Sequence, residues 1–350
     1  MNTYLLHLIG TFYFLFMVVN CSQPIQSIKP STNSTCQKIS GTPGPEDIEL
    51  VKVNQKSYII VSSHERRIEN TNGKLFFINP DPLKESFNSV PLNVDRYPEN
   101  FRPHGISTSK KNGKLRLYAI SHPGLENKKH TIEIFELKDE ANFTWTYIGE
   151  LTHANLKSPN DLFALPDERL IVSNDGSGSN SLKVAFDFIF NISSADITYY
   201  ENGNFYLAGV KVPFGNGIWY EENGKEKILY RSSHLNRSIY VYDVNWIENY
   251  QPTLDLKYKI DFNGGPDNII KNEYGFYTAI HPSNYLFLRH VSNPKNLSPT
   301  QVFKITNSRD TKLIYSNVGD EISAGSTGLV YKNTLFISQV FEDFVLACGM

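Results

Sequence analysis

Two short patterns of polar and apolar residues repeat along this chain of 350 residues. The first is a polar pair followed by an apolar run, as in "PEDIEL" at Glu46 and "RPHGIS" at His104. Its further copies are "SPNDLFAL" at Asn160, "FGNGIWY" at Asn216, "GPDNII" at Asp267 and "GSTGLVY" at Ser326. Successive copies are 58, 56, 56, 51 and 59 residues apart. So regular a period indicates a repeat architecture.

The second pattern is an apolar run that ends in a polar cluster, shortly after each copy of the first. Its members are "YIIVSSH" to His64, "LYAISHP" to His122, "LIVSND" to Asp175, "ILYRSSH" to His234, "FYTAIHP" to His281 and "LFISQV" to Gln339. Turn signals such as "KNGK" and "ENGK" lie between the two patterns. Each repeat is therefore predicted to contain a strand, a tight turn and a second strand.

Six such strand pairs predict an all-β fold, a six-bladed β-propeller around a central tunnel. Each repeat has room for outer strands such as "GKLFFINP" and "TIEIFEL". The alternative, a string of small independent domains, lacks linkers between the copies. In an antiparallel hairpin, the start of one strand and the end of the next share one end. The polar clusters should therefore meet at one tunnel mouth, with His104 beside His122.

The chain is predicted to begin with a targeting segment. Residues 5–19 are almost wholly apolar and the first basic residue is Lys29, so residues 1–21 form a signal peptide or an uncleaved anchor. Residues 22–35 form a linker rich in Pro, Ser and Thr, and residues 36–350 form the propeller.

Features of the mature chain agree with secretion. Cys36 and Cys348 lie near its two ends, and an even pair in an oxidising compartment predicts one disulfide. Five N-x-[ST] sequons are candidate glycan sites: Asn33, Asn142, Asn191, Asn236 and Asn296.

Positive and negative charges nearly cancel, at 34 and 36 residues, and no basic stripe is present. Nucleic acid is therefore not an expected partner.

The first strands bring oxygen-bearing side chains to the tunnel mouth from several directions. The set comprises Glu46, Asp47, Asn160, Asp161, Asn216, Asp267 and Asn268. Hard oxygen ligands of mixed charge suit Ca²⁺, and the mutual repulsion of four carboxylates favours one or two cations. The alternative is that Asn and Asp merely begin strands, as they often do.

Motifs of other hydrolytic chemistries are missing from the chain. It contains no G-x-S-x-G elbow, no H-E-x-x-H and no phosphate-binding glycine loop. An enzyme of this composition would most simply use a water molecule activated beside a metal. A histidine at a strand end is commonly only a polar cap, so His104 and His122 do not by themselves establish catalysis.

The chain resembles the paraoxonase/arylesterase family of six-bladed propeller lactonases. The resemblance runs from Cys36 to Cys348, in "GPEDIEL", "FRPHGIST", "SHP", "NDLFALP", "SND", "FGNGI", "PDNI", "HP", "GSTGLVYKNTLFI" and "VLACGM". "SSHERR" at Ser62 is more similar to the related gluconolactonase-type arylesterases.

The resemblance implies two Ca²⁺ ions, a catalytic pair of histidines and the terminal disulfide. The catalytic calcium would be bound by Glu46, Asn160, Asn216, Asp267 and Asn268, and the structural calcium by Asp47, Asp161 and the carbonyl of Ile106. His104 would deprotonate water with the help of His122, and Asp175 would orient His104. His64, Phe214, His234 and His281 would line the substrate pocket.

Two departures from the family pattern concern the substrate pocket. Gly176 stands where the family often has another histidine, and "SSHERR" adds charge to a loop of the pocket wall. Residues 181–194 replace an amphipathic helix near the site and are interpreted either as a lid or as a contact for membranes or lipoproteins.

The resemblance implies a secreted, calcium-dependent hydrolase of lactones and aryl esters, with organophosphate triesters as side substrates. Two alternatives remain open. One is a secreted propeller that binds a ligand or partner without catalysis. The other is an enzyme of different chemistry on the same fold, as in the strictosidine-synthase-like relatives, which depend on a glutamate near the tunnel.

Overall fold

The computed structural model describes residues 28–31, 35–68, 71–81, 86–122, 129–178, 181–246, 252–306 and 309–350. The proposed targeting segment and Asn33 lie outside these residues. Of the proposed linker, residues 28–31 and 35 are described, and Ser31 is docked: its amide donates to Ser316 O at 2.7 Å and its hydroxyl accepts from Ser316 N at 2.8 Å.

The described strands form six sheets of four or five mainly antiparallel strands around a tunnel, and a further two-stranded sheet, which confirms the predicted six-bladed propeller. Blade 1 contains β2 (Pro45–Val53), β3 (Lys56–Ser63), β4 (Lys74–Ile78) and β5 (Ser89–Pro91). Blade 2 contains β7 (Pro103–Lys111), β8 (Lys114–Ser121), β9 (Thr131–Asp139) and β10 (Thr144–Leu151), with β6 (Asn93–Val94) parallel to β10. Blade 3 contains β11 (Pro159–Leu165), β12 (Arg169–Asn174), β14 (Ile197–Glu201) and β15 (Asn204–Leu207).

The remaining blades repeat this order. Blade 4 contains β17 (Gly215–Asn223), β18 (Glu226–Ser233), β19 (Ser238–Asn245) and β20 (Thr253–Asp261), and blade 5 contains β21 (Gly265–Asn272), β22 (Gly275–His281), β23 (Thr300–Ile305) and β24 (Thr311–Asn317). Blade 6 contains β25 (Gly325–Tyr331), β26 (Thr334–Gln339), β27 (Phe344–Gly349) and the N-terminal β1 (Cys36–Ser40). Between blades 3 and 4, β13 (Ser193–Ala195) pairs with β16 (Val212–Pro213).

The two ends of the chain close the ring within blade 6. Strand β1 pairs antiparallel with β27, and the register places Cys36 opposite Cys348. The predicted disulfide joins these two residues across 312 positions of sequence. In the entropic account, a cross-link over so long a loop destabilises the unfolded chain by roughly 6 kcal/mol.

The local sequence explains the strand pairs. In the hairpin of β7 and β8, Lys111 pairs with Lys114, and the two turn residues Asn112 and Gly113 have φ values of 50° and 78°. Asn-Gly is the preferred pair for such a turn because both residues tolerate a positive φ. The alternating apolar residues then face the neighbouring blade. For example, Ile60 and Leu75 of blade 1 pack with Trp145 of blade 2, all fully buried.

Two helices lie among the described residues, both beside the site end of the tunnel. Helix α1 (Ser181–Ile189) follows blade 3's second strand, and α2 (Asn284–Ser292) follows blade 5's second strand. The Ser283 hydroxyl caps α2 by accepting from Leu286 N at 3.3 Å. Neither helix is long and apolar enough to span a bilayer.

The four proposed glycan sites that the structure describes are all accessible to some degree. Asn142, Asn191 and Asn236 are exposed, and Asn296 is half-buried.

Close approach of the inner strands gives a first prediction. A Cβ on Gly217 would lie 2.6 Å from Asp267 O and from Asn268 Cα, across the tunnel-facing contact of blades 4 and 5. We expect Gly217→Ala to lower the free energy of unfolding by about 1–3 kcal/mol, the usual range for overpacking. Urea unfolding measures the change. The control is Gly349→Ala, whose Cβ would have ordinary contacts at 3.8 Å; equal stability of the two variants would contradict the close approach.

Candidate active site

Every innermost strand carries a β-bulge at its start, on the same side of the propeller. The register shifts lie between Pro45 and Asp47, Pro103 and Ile106, Pro159 and Asp161, Gly215 and Ile218, Pro266 and Ile269, and Gly325 and Gly328. Bulges re-aim side chains and are common beside active sites. Here the bulged residues are the polar pairs of the sequence repeat, so each blade contributes polar groups to one tunnel mouth.

The predicted acidic and amide side chains are buried together at this mouth. Glu46, Asp47, Asn160, Asp161, Asn216, Asp267 and Asn268 are each 2–6% exposed. Contacts across blades join them: Asn268 Nδ2 donates to Glu46 Oε1 at 3.1 Å and to Thr327 Oγ1 at 3.0 Å. Side chains that are 222 positions apart in sequence thus share one small volume.

Three amide oxygens in this group receive no hydrogen bond from the described residues. They are the Oδ1 atoms of Asn160, Asn216 and Asn268, all buried. Buried polar atoms nearly always have a hydrogen-bond partner, so three amide oxygens without one, on three different blades, need a common explanation. Amide oxygens beside carboxylates are the ligands that calcium prefers. The donor set therefore fits a calcium ion at this position.

Asp47 and Asp161 form a second pair along the tunnel. Asp47 Oδ2 accepts from Ile106 N at 2.8 Å, and Asp161 Oδ2 accepts from Ile218 N at 2.8 Å. Burial, and then the charge of neighbouring carboxylates, raise the pKa of both groups well above the ordinary range. A divalent cation between them would remove this repulsion.

Glu46 also contacts the first histidine of the predicted pair. His104 Nδ1 lies 3.0 Å from Glu46 Oε2. Burial alone would raise the pKa of Glu46, but the pairing with His104 outweighs burial and holds that pKa below its ordinary value. A carboxylate can only accept, so this contact favours the tautomer that has its proton on Nδ1, with Nε2 of His104 as the basic nitrogen.

The two histidines are neighbours, as the hairpin geometry predicts. Their ring centroids are 4.8 Å apart. His122 Nε2 donates to the carbonyl of Pro159 at 2.6 Å, which fixes the ring. Burial, and then the charges of His104 and His130, lower the pKa of His122 well below its usual range.

Asp175 lies at the end of the second strand of blade 3, on the side of His104. Burial raises its pKa to about 6, while a hydrogen bond from Ser158 and the charge of His104 oppose this rise. The carboxylate that contacts His104 Nδ1 is Glu46, which the resemblance assigned to calcium alone.

The proposed pocket residues separate into two groups. Phe214, His234 and His281 form an aromatic wall with Phe188 of α1 and Phe287 of α2. Phe214 adopts a φ of 47°, unusual for an aromatic residue, and such strain is typical of functional sites. His64 lies apart from this wall on blade 1, with Nε2 3.3 Å from Thr71 Oγ1.

Helix α1 has apolar residues on both of its sides. Phe188 packs on Phe214 with ring centroids 4.9 Å apart, as a lid residue would. Phe186, Ile189 and Phe190, which directly follows the helix, are instead exposed, by 53%, 43% and 44%.

The sequence interpretation did not single out Arg66 or His130. The Arg66 guanidinium donates to the carbonyls of Gly44, His64, Pro103 and Val340, and so ties blades 1, 2 and 6 at the mouth. The charged "SSHERR" loop was the available signal for Arg66. His130 directly precedes β9, and its position relative to the repeat could have indicated its place beside His122.

Comparison with known proteins supports the resemblance. The Arylesterase family matches residues 61–350. Human serum paraoxonase/lactonase 3 is 23% identical over 351 residues, which cover 96% of this chain and 94% of that protein. Mouse serum paraoxonase/arylesterase 1 is 26% identical over 261 residues, covering 72% and 69%. A crystal structure of a candidate gluconolactonase has a TM-score of 0.53 at 14% identity and covers 94% and 97%, which shows a shared fold.

The buried His234 gives a prediction about acid stability. Burial, and then the charge of His281, lower its pKa from 6.5 to about 3. Below pH 6.5 this histidine is protonated in the unfolded chain but stays neutral in the native protein. The free energy of unfolding therefore falls as the pH drops from about 6.5 towards 3. We expect His234→Gln to reduce this slope by up to about 1.4 kcal/mol per pH unit.

Urea unfolding between pH 7 and pH 4 measures the slope for both proteins. The matched control is His153→Gln, which changes an exposed imidazole stacked on Phe205. If His234→Gln retained the wild-type slope, the buried ring would not be the group that resists protonation.

Proposed function

This chain belongs to the arylesterase family, and on that premise we propose that it is a calcium-dependent hydrolase of lactones and aryl esters. The relatives named above are a lactonase and an arylesterase. One observation carries the proposal. The amide oxygens without hydrogen-bond partners and the contact between His104 and Glu46 lie at the same mouth of the tunnel. A metal-binding oxygen set beside a positioned base is what water-based hydrolysis requires.

Two calcium positions follow from the oxygen sets. The catalytic ion would be bound by Glu46, Asn160, Asn216, Asp267 and Asn268. The structural ion would be bound by Asp47, Asp161 and the carbonyl of Ile106. When bound, the catalytic ion supplies a Lewis acid that polarises the substrate carbonyl and stabilises the developing oxyanion.

The protein's own residues supply the base and its orientation. Glu46 fixes the Nδ1 proton of His104, so that Nε2 can take a proton from water. His122 lies beside this ring and is itself fixed by the Pro159 carbonyl. Asp175 adds negative charge on the same side, which stabilises the imidazolium that forms.

The aromatic wall accounts for the substrate class. Phe188, Phe214 and Phe287 offer apolar surface for an acyl chain or an aryl leaving group, and they exclude water from the reacting carbonyl. A phosphoryl oxygen could take the place of the carbonyl oxygen, so organophosphate triesters are proposed as side substrates.

The proposed setting is extracellular. The disulfide between Cys36 and Cys348 supports an oxidising compartment. Contact of the exposed apolar residues of α1 with a membrane or lipoprotein surface belongs to the same proposal.

The rival function is a propeller that binds a ligand without turnover. A panel of lactones and esters assayed with and without chelator distinguishes this function from hydrolysis.

The base is tested with His104→Gln. Glutamine retains a polar side chain, so we expect a normal fold and normal calcium content, with lactone turnover reduced about 10²–10⁴-fold at saturating calcium. Stopped-flow or pH-indicator assays measure the rate, and His153→Gln is the control. Near wild-type turnover by His104→Gln would favour the binding propeller.

The structural ion is tested with Asp161→Ala. We expect lower folding yield, loss of bound calcium and loss of the calcium-dependent rise in Tm. The ion would lose one of its two carboxylate ligands, and the charge of Asp47 would remain buried without a bound cation. Differential scanning calorimetry with calcium or EGTA, and metal analysis, measure these changes. The control Asp243→Ala disrupts only a surface ion pair with Lys257. Wild-type metal content and Tm in Asp161→Ala would show that the ion lies elsewhere.

A further inference from the structure

Three imidazoles form a radial row at the site end of blade 2. His104 lies at the start of β7, His122 directly follows β8, and His130 directly precedes β9. The ring centroids of His104 and His122 are 4.8 Å apart, and those of His122 and His130 are 4.6 Å apart. These separations match the spacing of neighbouring strands in a sheet, about 4.7–4.9 Å.

The register of the blade explains the row. Pro103 pairs with Ser121, and Ser121 pairs with Thr131. Each histidine is adjacent in sequence to one of these three paired residues. The strand pairing therefore places the three histidine side chains side by side on neighbouring strands. Because β7 lines the tunnel and β9 is the third strand, the row leads from the reacting centre towards the outer part of the blade.

Ester and lactone hydrolysis produces a proton that must leave this mouth. The water oxygen forms the new bond to the carbonyl carbon, and the bond to the leaving oxygen breaks. His104 takes one proton from the attacking water and gives it to the leaving oxygen. The carboxylic acid that forms then gives its own proton to His104 and leaves as a carboxylate, because it is ionised at neutral pH. One proton per turnover must therefore reach solvent, while the side chain of His104 is only 17% exposed.

We propose that His130 is the outer member of a proton relay, which takes the proton released at His104 through His122 and passes it to solvent buffer. This inference rests on the proposed function. His130 acts through His122 and is a positioning and relay residue that does not touch the substrate.

The hydrogen bonds of His122 support its place in the middle. Its Nε2 proton is donated to Pro159 O, so Nδ1 is the nitrogen that can accept and release the transferred proton. Burial and the two flanking rings lower the pKa of His122, so a transferred proton would not rest there. Among the described residues, the charged groups that act on this row include Glu46, Arg66 and Asp175, and the Thr152 hydroxyl donates to His130 O at 3.3 Å.

The first test compares His130→Gln with wild type in dilute and in concentrated imidazole buffer. A relay predicts an unchanged KM, a fall in kcat of about tenfold in dilute buffer, well below the 10²–10⁴ of a lost base, and recovery as imidazole replaces the missing carrier. His153→Gln should show neither the loss nor the rescue. Wild-type kcat in dilute buffer, or a loss that imidazole does not restore, would overturn the proposal.

A second test does not depend on turnover. The ¹⁵N signals of the imidazoles report the titration of His122 directly, and in His130→Gln its midpoint should move upward because a neighbouring positive charge is removed. An unchanged midpoint would mean that the two rings are not electrostatically coupled, and the relay would be wrong. If His130→Gln lowers Tm, His130→Asn is measured in both tests.

Different results would contradict the proposed hydrolase function and the proposed relay. Absence of hydrolysis by the wild-type protein, or full activity of His104→Gln, would overturn the proposed function. Hydrolysis that requires His104 and is indifferent to His130 and to buffer would leave that function intact and overturn the relay alone.

Discussion

The constraint on which the structure depends is the close approach of six innermost strands around one narrow tunnel. Gly105 and Gly217 show how little room remains: a Cβ on Gly105 would lie 2.6 Å from Asn160 O, and one on Gly217 would lie as close to Asp267 O. The bulge at the start of each strand then directs polar side chains into the same small volume. Carboxylates and amides from four blades are thus buried together, although each is an ordinary strand residue within its own blade.

Closing the ring is what maintains this crowding. Buried carboxylates repel one another and raise each other's pKa, so their charges favour separation of the inner strands. The pairing of β1 with β27, the disulfide of Cys36 with Cys348 and the Arg66 guanidinium all oppose such an opening. A bound cation would replace repulsion with attraction at the same place, which couples metal binding to stability.

The mouth has two chemically different sides. Blade 2 contributes imidazoles in a row, whereas Phe188, Phe214 and Phe287 give the aromatic wall on blades 3 to 5 its apolar surface. The reacting group of a substrate would lie between them, above the oxygen set. This division suits a reaction in which a proton leaves on one side while an acyl or aryl group is bound on the other.

The sequence by itself determined the blades, the closing disulfide and the end of each strand at which polar residues gather. These follow from local rules, since alternation and turns such as Asn112-Gly113 specify a hairpin without distant partners. Only the tertiary structure decided which polar groups touch. Glu46 contacts His104 from a neighbouring blade, and the orphaned Oδ1 of Asn268 is recognised only once every nearby donor has been placed. The position of His130 beside His122 likewise depends on strand register, and pairing register involves contacts that no short stretch of sequence contains.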